Sequence, residues 1–111
     1  MRSETIKKKQ EGVSQVGERQ VQDLRGRIER LYEMIDRVDH YRLLGVARRA
    51  SQREIYLAYS MMCSTFHPDL ARQEAFADLK PKLEKIFKAL VDAHTVLIDQ
   101  NLRKRYDRGM L

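Results

Sequence analysis

Residues 52–70, QREIYLAYSMMCSTFHPDL, decide the fold. Just before them Ser51 stands three residues ahead of Glu54, the capping-box arrangement in which a hydroxyl and a carboxylate each satisfy an orphan backbone N–H, so a helix is predicted to start at Gln52. Ile55, Ala58, Tyr59, Met62 and Phe66 then share one face at helical spacing. Pro68 disfavours helical geometry at His67 and has no N–H to donate, which stops the helix at Phe66 or His67.

Beyond the stop, a polar stretch from Asp69 to Glu74 leads to a second row at helical spacing: Leu83, Ile86, Phe87, Leu90, Ala93, His94 and Leu97. Pro81 fits a first helical turn, which places this long helix near Leu79 to Ile98, antiparallel to the one before it. Phe87 is expected in the core, Phe76 in the loop or a separate turn, and a short last helix over Gln100 to Tyr106. On the other side, Asp39 is placed to cap a brief helix carrying Tyr41, Leu43 and Leu44 and ending at Gly45.

Further upstream, Val21, Leu24, Ile28, Leu31, Ile35 and Val38 alternate spacings of three and four, so residues 20–38 read as an amphipathic helix or linker. The row also matches the a and d positions of a coiled coil, and it either packs on its own domain or pairs with its copy in a homodimer. Residues 1–19, with Lys7-Lys8-Lys9, Gly12 and Gly17, hold too little apolar surface to offset ordering and are expected to be flexible. The result is an all-α chain: an antiparallel helical hairpin with short flanking helices over residues 39–111, preceded by the amphipathic helix.

Composition narrows the function classes. A chain of 111 residues suits one core. Its 22 basic and 16 acidic residues interleave, and the clusters Lys7-Lys8-Lys9 and Arg103-Lys104-Arg105 read as solvated charge, so nucleic acid is not the expected partner. The single cysteine, Cys63, allows no internal disulfide and suits a reducing cytoplasm. No segment has membrane-spanning length and no His or Cys pair has metal-ligand spacing, so neither a membrane span, a metal nor a cofactor is expected. No Ser, Cys or Lys nucleophile has an evident base partner, and His40, His67 and His94 stand apart, which argues against an enzyme.

From Asp39 to about Arg108 the residues resemble the J-domain of DnaJ-like co-chaperones. The resemblance rests on Asp39, Tyr41, Leu44-Gly45-Val46, Glu54-Ile55, Ala58-Tyr59, His67-Pro68-Asp69, Phe87, Ala93, Val96-Leu97, Asp99, Arg103 and Tyr106-Asp107. It implies docking on a DnaK-type (heat-shock 70 kDa) chaperone through His67, Pro68 and Asp69, and faster ATP hydrolysis by that partner. Taken singly, His67 is no more than a helix cap, Pro68 a helix stop and Asp69 a turn residue; the J-like frame is what gives the three their meaning.

The chain departs from the family on the outer face of its second helix, which the resemblance expects to be basic. Arg53 is there, but Tyr56, Leu57, Ser60 and Met61 follow, so this face is the expected partner surface with little long-range attraction. The alternative reading is a degenerate J-like interaction or dimerisation module that uses this apolar face. The upstream amphipathic helix is expected to cover Tyr56, Leu57 and Met61, or to dimerise. His94 stands where the family commonly has tyrosine and reads as a core-edge residue rather than a ligand. Neither a glycine-phenylalanine linker nor repeated cysteine pairs follow, so client specificity is expected from elsewhere in a larger protein.

Overall fold

Two side chains start the central hairpin as expected. In the computed structural model, which describes residues 2–111 and side chains from residue 17 onward, Ser51 Oγ accepts from Glu54 N–H at 3.1 Å and Glu54 Oε1 accepts from Ser51 N–H at 3.2 Å. Losing such a cap costs about 1 kcal/mol. The helices are α1 (Arg2–Met34), α2 (His40–Leu44), α3 (Gln52–Thr65), α4 (Lys80–Ile98) and α5 (Gln100–Asp107). Two 3-10 segments, Pro68–Arg72 and Glu74–Leu79, bridge α3 and α4, and there is no strand among the described residues. Helix α1 thus begins within the stretch 1–19 expected to be flexible and ends at Met34, short of the Val38 limit expected for the amphipathic helix; of residues 1–16 the side chains lie outside the described part.

Helices α3 and α4 lie side by side and antiparallel. Gln52, at the start of α3, donates from Nε2 to the carbonyl of Ile98 at the end of α4 (3.0 Å), whereas His67, just past α3, meets Phe87 midway along α4. Between them Ile55, Phe66, Leu83, Ile86, Leu90, Ala93 and Leu97 are buried. Phe87, expected in the core, is partly exposed instead. At 100° per residue it stands about 80° from the centre of the α4 apolar row, so it faces the tip of the hairpin rather than its interior.

The short flanking helices are fastened to one another. Asp39 Oδ1 accepts from Arg42 N–H (2.8 Å), and α2 ends at Gly45, whose φ of 71° is a left-handed conformation that a Cβ would strain. The buried Tyr41 hydroxyl donates to Asp107 (2.7 Å) and accepts from Arg103 Nε (2.9 Å), while Arg103 also donates to the carbonyl of Arg48 (2.7 Å). Arg103 is therefore a structural clasp between α5 and the α2 region, not a free member of a solvated basic cluster; Lys104 and Arg105 remain exposed.

Helix α1 packs on its own domain, one of the two arrangements expected for its apolar row, and corrects one expectation, that of a cover for Tyr56, Leu57 and Met61. Its apolar row does not point outward as a homodimer seam: Ile28 and Leu31 are buried in the chain's own core, and Val21, Leu24, Ile35 and Val38 are partly buried against it. Nor does it cover Tyr56, Leu57 and Met61, which are 54%, 49% and 72% exposed. Instead α1 lies along α4. Arg25 forms a bidentate pair with Asp78 (2.8 Å to each carboxylate oxygen) and donates to the carbonyl of Ala75, Glu29 pairs with Lys82 (2.6 Å), and Tyr32 sits beneath Lys82 and Lys85. These pairs step forward together, so α1 and α4 run in the same direction. The reason is burial: Ile28 and Leu31 join Phe76, Leu79 and the α4 row in one buried cluster, a seat that the exposed outer face of α3 does not offer.

Candidate functional site

The candidate site is the corner where α3 ends. Phe66 is 2% exposed and anchors the last turn of α3 in the core, and the next residue leaves helical geometry, with φ −64° and ψ 137° at His67. Pro68 imposes that extended conformation on its predecessor and then opens the first 3-10 segment, where a missing N–H is harmless. On the far side Leu70 and Ala71 return to the core surface. His67, Pro68 and Asp69 thus form a short outward step held between apolar anchors.

The step is ordered by its own hydrogen bond. His67 Nδ1 accepts from the backbone N–H of Asp69 at 3.0 Å, so the neutral imidazole carries its proton on Nε2. A hydrogen bond donated outward by the neutral ring therefore comes from Nε2 alone. The imidazole edge meets the Phe87 ring at 5.2 Å between centroids and 66° between planes, a favoured aromatic geometry that limits its rotation. The Asp69 carboxylate is loosely attended, 3.7 Å from His67 Nδ1 and 3.9 Å from Arg72 Nε, and both tip side chains are well exposed at 49% and 67%. Such a carboxylate can accept two parallel N–H bonds from a guanidinium.

The other residues predicted to bind a partner line the outer face of α3. Tyr56, Leu57 and Met61 are exposed there, and Ser60 is partly so. Arg53 is exposed at the opposite end, about 21 Å of helix from His67 at 1.5 Å per residue. The structure brings His67, Pro68 and Asp69 together as one feature and leaves Arg53 remote from it. Leu70 and the tip-facing Phe87 were missed as supports, although the helical angle of Phe87 carried the signal. The α1 contacts had no local signal, since Arg25 and Asp78 lie far apart in sequence.

Behind the face, His94 stacks on Tyr59 (4.0 Å, 15°) and lies 6.2 Å from Tyr56. Its Nε2 is buried without a hydrogen-bond partner, and burial pushes its pKa below the ordinary value. Burial likewise raises the Cys63 thiol, an effect that the Tyr59 hydroxyl partly opposes. Neither forms part of a metal site: among the described residues no three His, Cys, Asp or Glu side chains are grouped to hold an ion. No described helix is long and apolar enough to cross a membrane.

Comparison with known proteins adds the following. The family described as DnaJ domain matches residues 39–107. Chaperone protein DnaJ of Exiguobacterium sibiricum is 46% identical over 74 residues, covering 67% of this chain and 18% of that protein. Chaperone protein DnaJ 2 of Aquifex aeolicus is 42% identical over 69 residues, 62% of this chain and 16% of that protein. DnaJ homolog subfamily C member 3 of Gallus gallus is 34% identical over 92 residues, which extends the similarity to 83% of this chain and 18% of that protein. The chain thus spans less than a fifth of the length of these relatives. No solved structure matches it.

Proposed function

Because the chain belongs to the DnaJ-domain family, whose members share a co-chaperone role, we propose that it docks on a DnaK-type chaperone through His67, Pro68 and Asp69 and stimulates that partner's ATPase. The observation that carries this reading is the exposed imidazole and carboxylate at a corner tied down on both sides by Phe66 and Leu70. A pre-ordered corner loses little entropy on binding. Asp69 offers its two oxygens to a partner arginine, and His67 Nε2–H donates to a partner carbonyl or carboxylate. The family is generally not catalytic, and here the chain acts as an allosteric ligand: tighter binding to one state of the chaperone shifts it toward hydrolysis. The lone Cys63 suits a reducing compartment, and we place the encounter in the cytoplasm.

Single-turnover ATP hydrolysis by a DnaK-type chaperone tests this. The wild type is expected to accelerate hydrolysis, and Asp69→Asn, which removes the charge but keeps the shape, to lose most of the acceleration. Equal rates for both, no faster than the chaperone alone, would overturn the reading.

One observation favours a second reading, a J-like interaction module that works through the face of α3. Tyr56, Leu57 and Met61 are exposed together, and Arg53 is the only basic residue of α3. Partner binding that survives Asp69→Asn but is lost in Met61→Glu would select it.

A further inference from the structure

Where α1 passes the end of α3, the two helices enclose an open groove of about 280 Å³ lined by Arg27, Arg30, Leu31, Met34, Met62 and Phe66. The floor is apolar and adaptable: Met34 is 42% exposed, and methionine side chains adjust to irregular partners at small cost. The rim is basic. Arg27 lies over the Phe66 ring at 5.3 Å, which holds the guanidinium in place through its face and leaves its N–H edge for other bonds. Among the described residues neither Arg27 nor Arg30 has an ion-pair partner, whereas Arg25, on the neighbouring face of α1, is fully engaged with Asp78. The groove adjoins the tip, since Phe66 directly precedes His67.

We propose that this groove is a second docking surface for the partner held at His67 and Asp69, and that it takes an acidic segment of that partner carrying an apolar side chain. The proposal rests on the docking reading above. Charge complementarity selects the occupant: two unpaired guanidiniums above a methionine floor suit a carboxylate beside an apolar anchor, whereas a phosphate backbone would leave the floor unused. Position selects its source, because Phe66, which lines the groove, directly precedes His67. On this view α1 supplies positive charge that α3 does not carry near its end, where Arg53 is a helix length away.

Binding of the full chain to an ATP-loaded DnaK-type chaperone, measured at low and at high salt, tests the proposal. The variants are Arg27→Gln/Arg30→Gln, Asp69→Asn, and Lys104→Gln/Arg105→Gln, which makes the same charge change on exposed α5. The groove variant is expected to bind about tenfold more weakly at low salt, with the loss shrinking as salt screens it, while the α5 variant stays within about twofold. If Arg27→Gln disturbs folding, as a thermal melt would reveal, Arg30→Gln alone carries the test. A groove variant that binds like the α5 variant overturns the proposal and leaves the tip reading untouched if Asp69→Asn still abolishes binding. Binding that depends on Arg27 and Arg30 but not on Asp69 sinks the tip reading and, with it, the groove's role as a second surface beside the tip. No binding by the wild type overturns both. Duplex DNA bound with the same dependence on Arg27 and Arg30, or self-association that the groove variant abolishes, would assign the groove to phosphate or to a second copy and overturn the proposal.

Discussion

Replacing Ile28 by alanine asks whether α1 is part of the domain or an appendage to it. Ile28 is 0% exposed. The substitution removes three buried carbon groups, about 2.4 kcal/mol at roughly 0.8 kcal/mol each, and leaves a cavity that raises the loss to about 3 kcal/mol. For a domain of this size that corresponds to a fall in Tm of about 10–20 °C. Urea denaturation followed by circular dichroism gives the free energy directly, and repeating it at two protein concentrations separates the possible burial partners. Burial within one chain predicts a large, concentration-independent loss. A loss below about 0.5 kcal/mol, the level of an ordinary surface substitution, would refute the seat of α1 on α4. A midpoint that rises with protein concentration would restore the dimer seam.

Phe87→Ala should cost about 1–2 kcal/mol rather than the roughly 3–5 kcal/mol of a fully buried phenylalanine, because the ring is partly exposed. It should also lower ATPase stimulation at temperatures where the variant is folded, since His67 leans on that ring; unchanged stimulation would remove this supporting role. Stability should fall with acidification. Burial holds His94 below its ordinary 6.5, and holds His40 below it too, with Asp92 and Asp39 partly opposing the shift. A base whose folded pKa is depressed takes its proton more readily when unfolded, so stability is complete above about 6.5 and declines as pH drops toward the folded values. Thermal melts from about pH 7 to 5 should show that decline, and His94→Phe should flatten it; an identical slope in the variant would clear His94 of the effect.

The parts of this protein that could be read from sequence are those in which cause and effect lie within a few residues. The Ser51–Glu54 box, the Asp39 cap, the left-handed Gly45 and the break imposed by Pro68 on His67 are short-range steric and hydrogen-bonding facts, and each is present in the structure. Helical periodicity likewise identified the buried faces of α3 and α4, and with them the hairpin that exposes His67 and Asp69. Periodicity states which side of a helix is apolar but not what will cover it. The row from Val21 to Val38 therefore fitted a coiled-coil seam, a lid for Tyr56 and Met61, or a seat on the chain's own domain equally well. Tertiary structure decided for the third, because Ile28 and Leu31 there join Phe76, Leu79, Leu83 and Ile86 in one buried cluster, and because Arg25 and Glu29 find Asp78 and Lys82 only there. Burial and charge pairing between residues some fifty positions apart depend on where the chain has already folded, so no local pattern could announce them.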